Sequence, residues 1–303
     1  MFKHILIPVV PEPCSEQAAR MGLSFAKAIS ARVTFAYVMT KMDTTTYGNG
    51  LLKTWSNHAR ESGVISGEML INGADIHIGD AIAKEALQKD YDLIVMGTHA
   101  RAGLNRLLMG SVTERVVRLV EIPIMVSRSE NPTGHFGRIL VPIDTEPSSL
   151  VALSNAKELA LELGAKIHIV HVIPTMPIPL GDPVGAYTAF DYAGLAKTFE
   201  EAGEQAVQKA LEITKELNPT RTLLHANTER IENLLVQTAK DVHTDLIVMT
   251  THARSGLDRF LLGSVAQGVV HRSNIPVLLI RPVKVNTAEK QPDEAREAPL
   301  PIG

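Results

Sequence analysis

The sequence is poor in cysteine and in aromatic residues. It contains one cysteine, Cys14, one tryptophan and 4% aromatic residues in a chain of 303 residues. A lone cysteine cannot form an internal disulfide. So few aromatic side chains also argue against the stacking platforms that bind single-stranded nucleic acid. We therefore expect neither a disulfide framework nor a single-strand binding surface.

The sequence also lacks an excess of charge of either sign and any long apolar run. The formal net charge is −3 and the pI is about 6.4, which argues against binding to nucleic acid or anionic membranes through overall charge. No apolar run reaches the roughly 20 residues that span a bilayer. The segment 1–17 is interrupted by prolines and lacks the apolar stretch of a signal peptide. We expect a cytoplasmic protein that binds neither nucleic acid nor membrane.

What the sequence does contain is an internal repeat. HILIPVV (4–10) matches RILVPID (138–144) at an offset of 134 residues. YDLIVMGTHARAGLNRLLMGSV, which begins at Tyr91, matches TDLIVMTTHARSGLDRFLLGSV at an offset of 153, so the second copy carries 19 additional residues before this segment. Over the 35 positions that begin at Asp92, 20 are identical in the second copy. A period this long indicates a duplicated domain rather than a solenoid.

Each copy alternates short apolar runs with segments of helical spacing. In the first copy, ILIPVV, VTFAYVM, DIHIG (75–79), LIVMG and IPIMVS predict buried parallel strands. Segments 15–29, with Ser15 as N-cap, 79–90 and 111–120 predict helices. This alternation predicts an α/β protein with two tandem doubly wound domains, each a five-stranded parallel sheet flanked by helices. Ligands of such sheets bind at the carboxyl ends of the strands, where the strand order reverses.

The segment that follows LIVM suits an anion at that place. The chain leaves the strand at Gly97, and the next helix is expected to begin at Gly110 and Ser111. Backbone N–H groups at a helix start, with the positive end of the helix dipole, attract anions. Gly110 permits close approach, and Ser111 and Thr113 add hydroxyl donors. A turn glycine followed by a capping serine is the plain structural alternative.

Both halves resemble universal stress protein domains. The resemblance is carried by ILIPVV and ILVPID, by DLIVMGTHARAGLNRLLMGSV and its copy, and by the endings IPIMVSR and IPVLLIRP. It covers residues 2 to about 283 and implies a tandem protein of the adenine-nucleotide α-hydrolase-like fold. Family members dimerise through their last strand, which implies that segments 122–128 and 275–281 pair as an internal pseudo-dimer. An edge left unpaired would be an association hazard.

The family includes members that bind ATP and members that do not. The binding members carry the pattern Gly-x2-Gly-x9-Gly-Ser/Thr, and neither half matches it fully. At its four defined positions the first half has Gly97, Ala100, Gly110 and Ser111, and the second half has Thr250, Ala253, Gly263 and Ser264.

The departures from this pattern should weaken nucleotide binding to different degrees. Thr250 is β-branched, so it resists positive φ and crowds a phosphate, whereas Ala100 adds a single methyl group. The family's aspartate after the first strand is Asp144 in the second half and Val10 in the first. The valine removes an acceptor but creates no clash. We therefore expect the first half to have the better phosphate site and the second half the better adenosine end.

The resemblance implies ATP, with or without Mg²⁺, as the ligand of one or both halves. The residues expected to contact the nucleotide are Pro8, Val10, Val38, Met96, Gly97, His99, Ala100, Gly110, Ser111, Val112 and Thr113 in the first half, and Pro142, Asp144, Val172, Met249, Thr250, His252, Ala253, Gly263, Ser264 and Val265 in the second. The alternative is an interaction protein, or a carrier of a less polar small ligand, that retains the fold without the nucleotide.

No residue pattern indicates an enzyme. His99 and His252 recur in the two copies, but a histidine in a crevice loop more often bonds backbone or phosphate. Arg101 and Arg254 suit phosphate or solvent equally. Ser-His-Asp arrangements, paired carboxylates and zinc-ligand spacing are missing from the sequence. We expect no catalytic residues, no metal site and at most incidental ATP hydrolysis. The expected partners are adenine nucleotide, a second copy of the chain and an unidentified regulatory protein.

The connecting segments set the expected domain boundaries. The first domain is 1–129, the linker 130–136, the second domain 137–283 and a disordered tail 284–303. The linker is polar with proline and glycine, and the tail lacks periodic hydrophobic residues. Segments 40–55 and 174–194 follow the second strand of each half, and we expect both to cover the crevice as lids.

Overall fold

The computed structural model describes residues 1–98, 109–128, 134–175, 192–251 and 262–281. The elements of the first half are β1 (His4–Pro8), α1 (Pro13–Ala28), β2 (Arg32–Met39), α2 (Thr45–Glu61), β3 (Ser66–Asn72), α3 (Ile78–Gln88), β4 (Leu93–Gly97), α4 (Ser111–Leu119) and β5 (Ile124–Ser127).

The second half repeats this order with a longer helix after its second strand. Its elements are β6 (Arg138–Pro142), α5 (Ser149–Leu163), β7 (Lys166–Ile173), α6 (Tyr192–Thr214), a 3₁₀ turn (Lys215–Leu217), β8 (Thr220–His225), α7 (Ile231–Asp241), β9 (Leu246–Thr250), α8 (Ser264–Arg272) and β10 (Val277–Ile280). None of the helices in the described ranges is long and apolar enough to cross a membrane.

The ten strands form one continuous sheet in the order β3-β2-β1-β4-β5-β10-β9-β6-β7-β8. All pairs within a half are parallel, whereas β5 and β10 pair antiparallel with Met125 opposite Leu278. The predicted α/β class and the pairing of the two last strands are therefore confirmed. In each half the chain moves outward from the first strand and returns on its other side, which places a switch of strand order between β1 and β4 and between β6 and β9.

Two hydrophobic clusters cover the two faces of the sheet, and each contains residues of both halves. The ring of Phe25 lies 6.3 Å from that of Phe2 and 5.0 Å from that of Phe136 in the second half. Phe25 is fully buried. The Glu162 carboxylate adds a polar contact between the halves, at 3.4 Å from the Lys3 amine. The halves therefore share a core instead of meeting as two separately packed domains.

The strand predicted at DIHIG is wrong. The third strand of the first half is Ser66–Asn72, and residues 78–88 belong to α3. The His77 side chain accepts a hydrogen bond from the Gly79 N–H at 3.0 Å and so caps this helix. Strand β3 is the edge of the sheet and is only partly buried. It therefore lacks the continuous apolar run by which the inner strands are recognised.

The lid predicted at 40–55 is also wrong. From Thr45 this segment is part of α2, which packs on β2 and β3. Leu52, Trp55 and Ala59 are buried at helical spacing, and the Thr44 hydroxyl accepts a hydrogen bond from the Tyr47 N–H at 3.2 Å. Most of the second predicted lid, residues 176–191, lies outside the described residues.

The N-cap predicted for α1 is two residues inside the helix. The helix begins at Pro13, after Glu12 as N-cap. Ser15 is buried, and its hydroxyl accepts a hydrogen bond from the Val10 N–H at 2.9 Å. Ser15 therefore fixes the turn between β1 and α1 rather than the first turn of the helix.

Candidate functional site

The candidate site of the first half lies at the carboxyl ends of β1 and β4, where the strand order reverses. Strand β1 ends at Pro8 and β4 at Gly97. Helix α4 begins at Ser111 after Gly110 as N-cap. The corresponding elements of the second half end at Pro142 and Thr250, and α8 begins at Ser264 after Gly263. The two predicted sites therefore occupy equivalent positions on the sheet.

Gly97 is required by the packing of α1. A Cβ atom at this position would lie 2.3 Å from the Cys14 carbonyl oxygen and 3.2 Å from the Ser15 nitrogen. Its φ is not positive, so the argument that Thr250 resists positive φ does not explain the difference between the halves. The glycine instead allows the start of α1 to approach the end of β4.

The second half has Thr250 at this place, and its helix begins at a later residue. Pro147 is the counterpart of Pro13, at which α1 begins, but α5 begins at Ser149. The turn before the two helices is nevertheless the same, since the Ser15 N–H donates to the Glu12 carbonyl oxygen at 2.9 Å and the Ser149 N–H donates to the Glu146 carbonyl oxygen at 3.1 Å. Nothing in the described contacts explains how the second half accommodates Thr250.

Helix α4 begins after a glycine, which has no side chain with which to cap the helix. Gly110 has φ −53° and ψ 139°, and Ser111, the first residue of the helix, is exposed. The first turn of a helix offers backbone N–H groups and the positive end of the helix dipole, which suit an anion.

Three side chains hold this turn in place. The Thr113 hydroxyl donates to the Gly97 carbonyl oxygen at 2.9 Å and is buried. It therefore anchors α4 to β4, whereas the sequence suggested a phosphate donor. The Gly110 N–H is 3.5 Å from the Thr98 hydroxyl, and the Met109 N–H donates to His271 Nε2 at 2.7 Å.

The start of α8 is held differently. The Gly263 N–H donates to the Thr251 carbonyl oxygen at 2.7 Å. Ala266 stands where the first half has Thr113, so the hydroxyl anchor between helix and strand is lost. Ser264 is exposed, like Ser111. Both helices thus begin after a glycine N-cap, but different contacts hold the two turns.

The two halves also differ at the predicted adenosine end. Asp144 is half-buried, its Oδ1 accepts from the Glu146 N–H at 3.0 Å, and burial raises the pKa of its carboxyl group. The Ser149 hydroxyl donates to the Asp144 and Glu146 carbonyl oxygens. In the first half Val10 provides no side-chain acceptor. A carboxylate at the edge of a crevice is suited to accept hydrogen bonds from ribose or base.

The apolar residues of the predicted site belong to the hydrophobic core. Val38, Met96, Val172 and Met249 lie at the ends of β2, β4, β7 and β9, are 5–7% exposed and belong to the cluster beneath α3, α4, α7 and α8. Val112 and Val265 pack against the same cluster. These side chains therefore make the carboxyl ends of the inner strands apolar.

Four predicted site residues, His99, Ala100, His252 and Ala253, lie outside the described residues, as do Arg101 and Arg254. Within the described part of the chain no group of three or more metal-ligating side chains occurs. Two contacts were missed by sequence reasoning, those of Thr98 and His271. Thr98 recurs as Thr251 in the second half, and this repetition could have identified it as a candidate site residue. His271 contacts the opposite half, and a repeat pattern carries no information on such contacts.

Comparison with known proteins gives one consistent result. The model of a family described as the Universal stress protein family matches residues 1–128 and 135–281. A universal stress protein of Methanocaldococcus jannaschii is 29% identical over 165 residues, which cover 53% of this chain and 91% of that protein. One of Mycolicibacterium smegmatis is 28% identical over 200 residues, 64% of this chain and 63% of that protein.

Solved structures agree at the level of the fold. The crystal structure of a universal stress protein from Archaeoglobus fulgidus has a TM-score of 0.65 and 18% sequence identity, and the alignment covers 92% of this chain and 98% of that one. A structure from Pseudomonas aeruginosa has the same TM-score and 18% sequence identity, and the alignment covers 93% of this chain and 94% of that one. Neighbours at this level of identity support the tandem architecture.

Proposed function

Because the chain belongs to the universal stress protein family, a family of stress-response proteins, we propose that it binds an adenine nucleotide at the switch point of one or both halves. ATP is the proposed ligand, with or without Mg²⁺. The nucleotide would act as a regulatory ligand, with hydrolysis incidental. A homodimer, a regulatory protein partner and a cytoplasmic location stay predictions alongside it.

The observation that carries the proposal is the glycine-initiated start of α4 beside the end of β4. Gly110 and the exposed Ser111 present backbone donors to a ligand at the carboxyl end of the sheet. Phosphate groups need such donors and the positive end of a helix dipole. The Thr113 anchor keeps these donors fixed relative to β4, and a preorganised turn loses less freedom on binding.

The two halves support different parts of the nucleotide. The first half keeps the glycine at 97 and a helix anchored to its strand. The second half keeps the carboxylate of Asp144 but lacks the anchor. A lost hydrogen bond to a charged group costs about 1.5–3 kcal/mol, which weakens binding without abolishing it. We therefore propose the first half as the stronger site.

The alternative function is that of an interaction protein or a carrier of a less polar small ligand. The apolar side chains of Val38, Met96, Val172 and Met249 at the strand ends favour it, because contacts with an apolar ligand need no phosphate. The absence of a carboxylate at Val10 favours it for the first half. Mass spectrometry of the ligands released from natively purified protein distinguishes the two functions. ATP, ADP or AMP supports nucleotide binding, whereas an apolar ligand supports the alternative.

Matched substitutions assign the sites. Ser111→Glu and Ser264→Glu each place a carboxylate in the first turn of a helix at an exposed position, where the helix dipole favours it and folding is not impaired. The added charge repels phosphate. We expect S111E to weaken ATP binding about tenfold or more, and S264E to weaken it less. Isothermal titration calorimetry with ATP and ADP measures both.

The result that contradicts the proposal is equally clear. It fails if neither ATP nor ADP binds below millimolar concentration and no nucleotide is released from the native protein. Equal affinities in the unmodified chain and both variants would reject the helix starts as the binding sites. A larger loss in S264E than in S111E would assign the stronger site to the second half.

A further inference from the structure

A histidine of the second half holds the glycine turn of the first. His271 lies near the end of α8 and is 7% exposed. Its Nε2 accepts a hydrogen bond from the Met109 N–H at 2.7 Å, across 162 residues of sequence. Met109 is 2% exposed and directly precedes Gly110, the N-cap of α4. The contact therefore acts on the turn that presents the candidate phosphate donors.

This hydrogen bond depends on the charge of the imidazole. A ring nitrogen accepts only when it carries no proton, so the accepting Nε2 requires the neutral ring with its proton on Nδ1. An imidazolium has two N–H groups and no acceptor. Protonation would turn the contact into two donors facing each other, and the buried Met109 N–H would lose its partner.

The surroundings of His271 favour the neutral ring. Burial lowers its pKa below the usual value of 6.5, and the positive charges of Arg128, after β5, and Arg272, on α8, lower it further. Glu114 on α4 acts in the opposite direction but less strongly. The contact is therefore complete at and above the usual histidine pKa, and it is lost only as the pH falls through the lowered pKa of the folded-state ring.

The reciprocal contact is not made. The counterpart of His271 in the first half is Arg118, which has no acceptor atom and pairs with Glu114 at 2.7 Å. The turn before α8 is held from within its own half, by the Gly263 hydrogen bond to the Thr251 carbonyl oxygen. Among the described contacts, the second half therefore holds a turn of the first through a group that titrates, whereas the bond that holds its own turn involves no titrating group.

The far end of α4 is held by the second half as well. The guanidinium of Arg281, which follows β10, donates to the carbonyl oxygens of Val117 and Arg118, the latter at 3.0 Å. These carbonyls lie in the last turn of the helix, where a cation is favourable. Both ends of α4 are thus attached to the second half, which leaves its position dependent on that half.

We propose that His271 is a positioning residue of the first-half site: its neutral imidazole fixes Met109 and, through it, the donors at Gly110 and Ser111, and protonation releases them. The effect of His271 on nucleotide affinity rests on the proposed function. The hydrogen bond between His271 and Met109 does not depend on it, so the two claims are tested separately.

Amide hydrogen exchange without nucleotide tests the attachment. We expect the protection factor of the Met109 amide to fall about tenfold between about pH 8 and about pH 5, which corresponds to the loss of one hydrogen bond. The Gly263 amide is the internal control, since its acceptor does not titrate. Using protection factors removes the pH dependence of intrinsic exchange.

Two variants separate positioning from packing. His271→Gln places an amide oxygen near Nε2 and should keep Met109 protected at both pH values, because the amide does not titrate. His271→Leu should lose the protection at both, with Gly263 unchanged. The proposal is overturned if Met109 stays protected in H271L, or if H271Q follows the same pH dependence as the unmodified chain.

ATP titration at the two pH values tests the consequence. We expect affinity to fall about tenfold at low pH in the unmodified chain, because one fixed contact is lost, and to change much less in H271Q. If the hydrogen exchange results hold but no nucleotide binds, the proposed function fails and the attachment stands. If ATP binds equally well to H271L and to the unmodified chain, His271 is not a positioning residue of the site.

Discussion

The two halves have the same fold, but at one contact between helices the small and the large residue have exchanged places. In the first half Gly79 on α3 leaves room for Arg115 on α4, whose Cβ would lie 2.8 Å from an added side chain. In the second half the sizes are exchanged: Glu232 on α7 occupies the space beside Gly268 on α8. The comparison teaches that the space between these two helices is filled in both halves, but by a side chain from the opposite helix in each.

At the candidate site, a residue lost from one half is not replaced by an equivalent residue on a neighbouring element. The close approach of α1 to β4 requires Gly97, whereas the second half has Thr250 at this place. The contacts that fix the helix starts are not exchanged in this way. The first half has the Thr113 hydroxyl and the His271 contact, and the second half has neither equivalent. Duplication thus preserved the sheet and let the sites diverge.

The largest effect on stability is expected when Gly97 is replaced by the threonine that the second half has at this position. Gly97→Thr places a side chain on the Cys14 backbone, which cannot move as a flexible side chain would. We expect a loss of about 3 kcal/mol in the free energy of unfolding. The control Thr250→Gly removes a side chain from a strand end and should cost about 1 kcal/mol. Urea denaturation measures both, and equal losses would contradict the close contact.

An intermediate effect on stability is expected at the contact between Glu232 on α7 and Gly268 on α8. Gly268→Arg places a large side chain against Cβ and Cγ of Glu232 and should cost about 2 kcal/mol. Adding Glu232→Gly reproduces the arrangement of the first half and should recover about 1 kcal/mol, although Glu232 then no longer pairs with Arg272. A double-mutant cycle by denaturation measures the coupling. Additive losses would show that the two positions do not share one space.

Much of the fold could be predicted from the sequence because the duplicated segments are the buried ones. The strands β1, β2 and β4 read as apolar runs, and the repeat located their counterparts in the second half. The pairing of β5 with β10 followed from the resemblance and from the hazard of an open edge. The edge strand β3 and the helix α2 were missed, since the strand is half-exposed and the helix buries only one residue per turn.

The position of the candidate site could be predicted, but not its internal contacts. The end of a strand and the start of a helix are visible as Gly97, Gly110 and Ser111. The partner of a hydroxyl or a buried histidine depends on three-dimensional proximity. His271 reaches Met109 only because the two last strands pair and bring α8 beside α4. Comparison of the two halves shows that His271 replaces Arg118, but it does not reveal which residue His271 contacts.

The smallest effect is expected from removing the hydroxyl anchor of α4. Thr113→Val keeps the shape but leaves the Gly97 carbonyl oxygen without this donor, and should cost about 1 kcal/mol. Thr238→Val on α7 is the matched control, because its hydroxyl donates to the Leu234 carbonyl oxygen inside the same helix, which the helix already satisfies. The control should cost only about a few tenths of a kcal/mol. Chemical denaturation measures the difference between the two variants. If they lose the same free energy, the bond to Gly97 does not anchor α4, and the proposed advantage of the first half over the second would then depend on His271 and Gly97 alone.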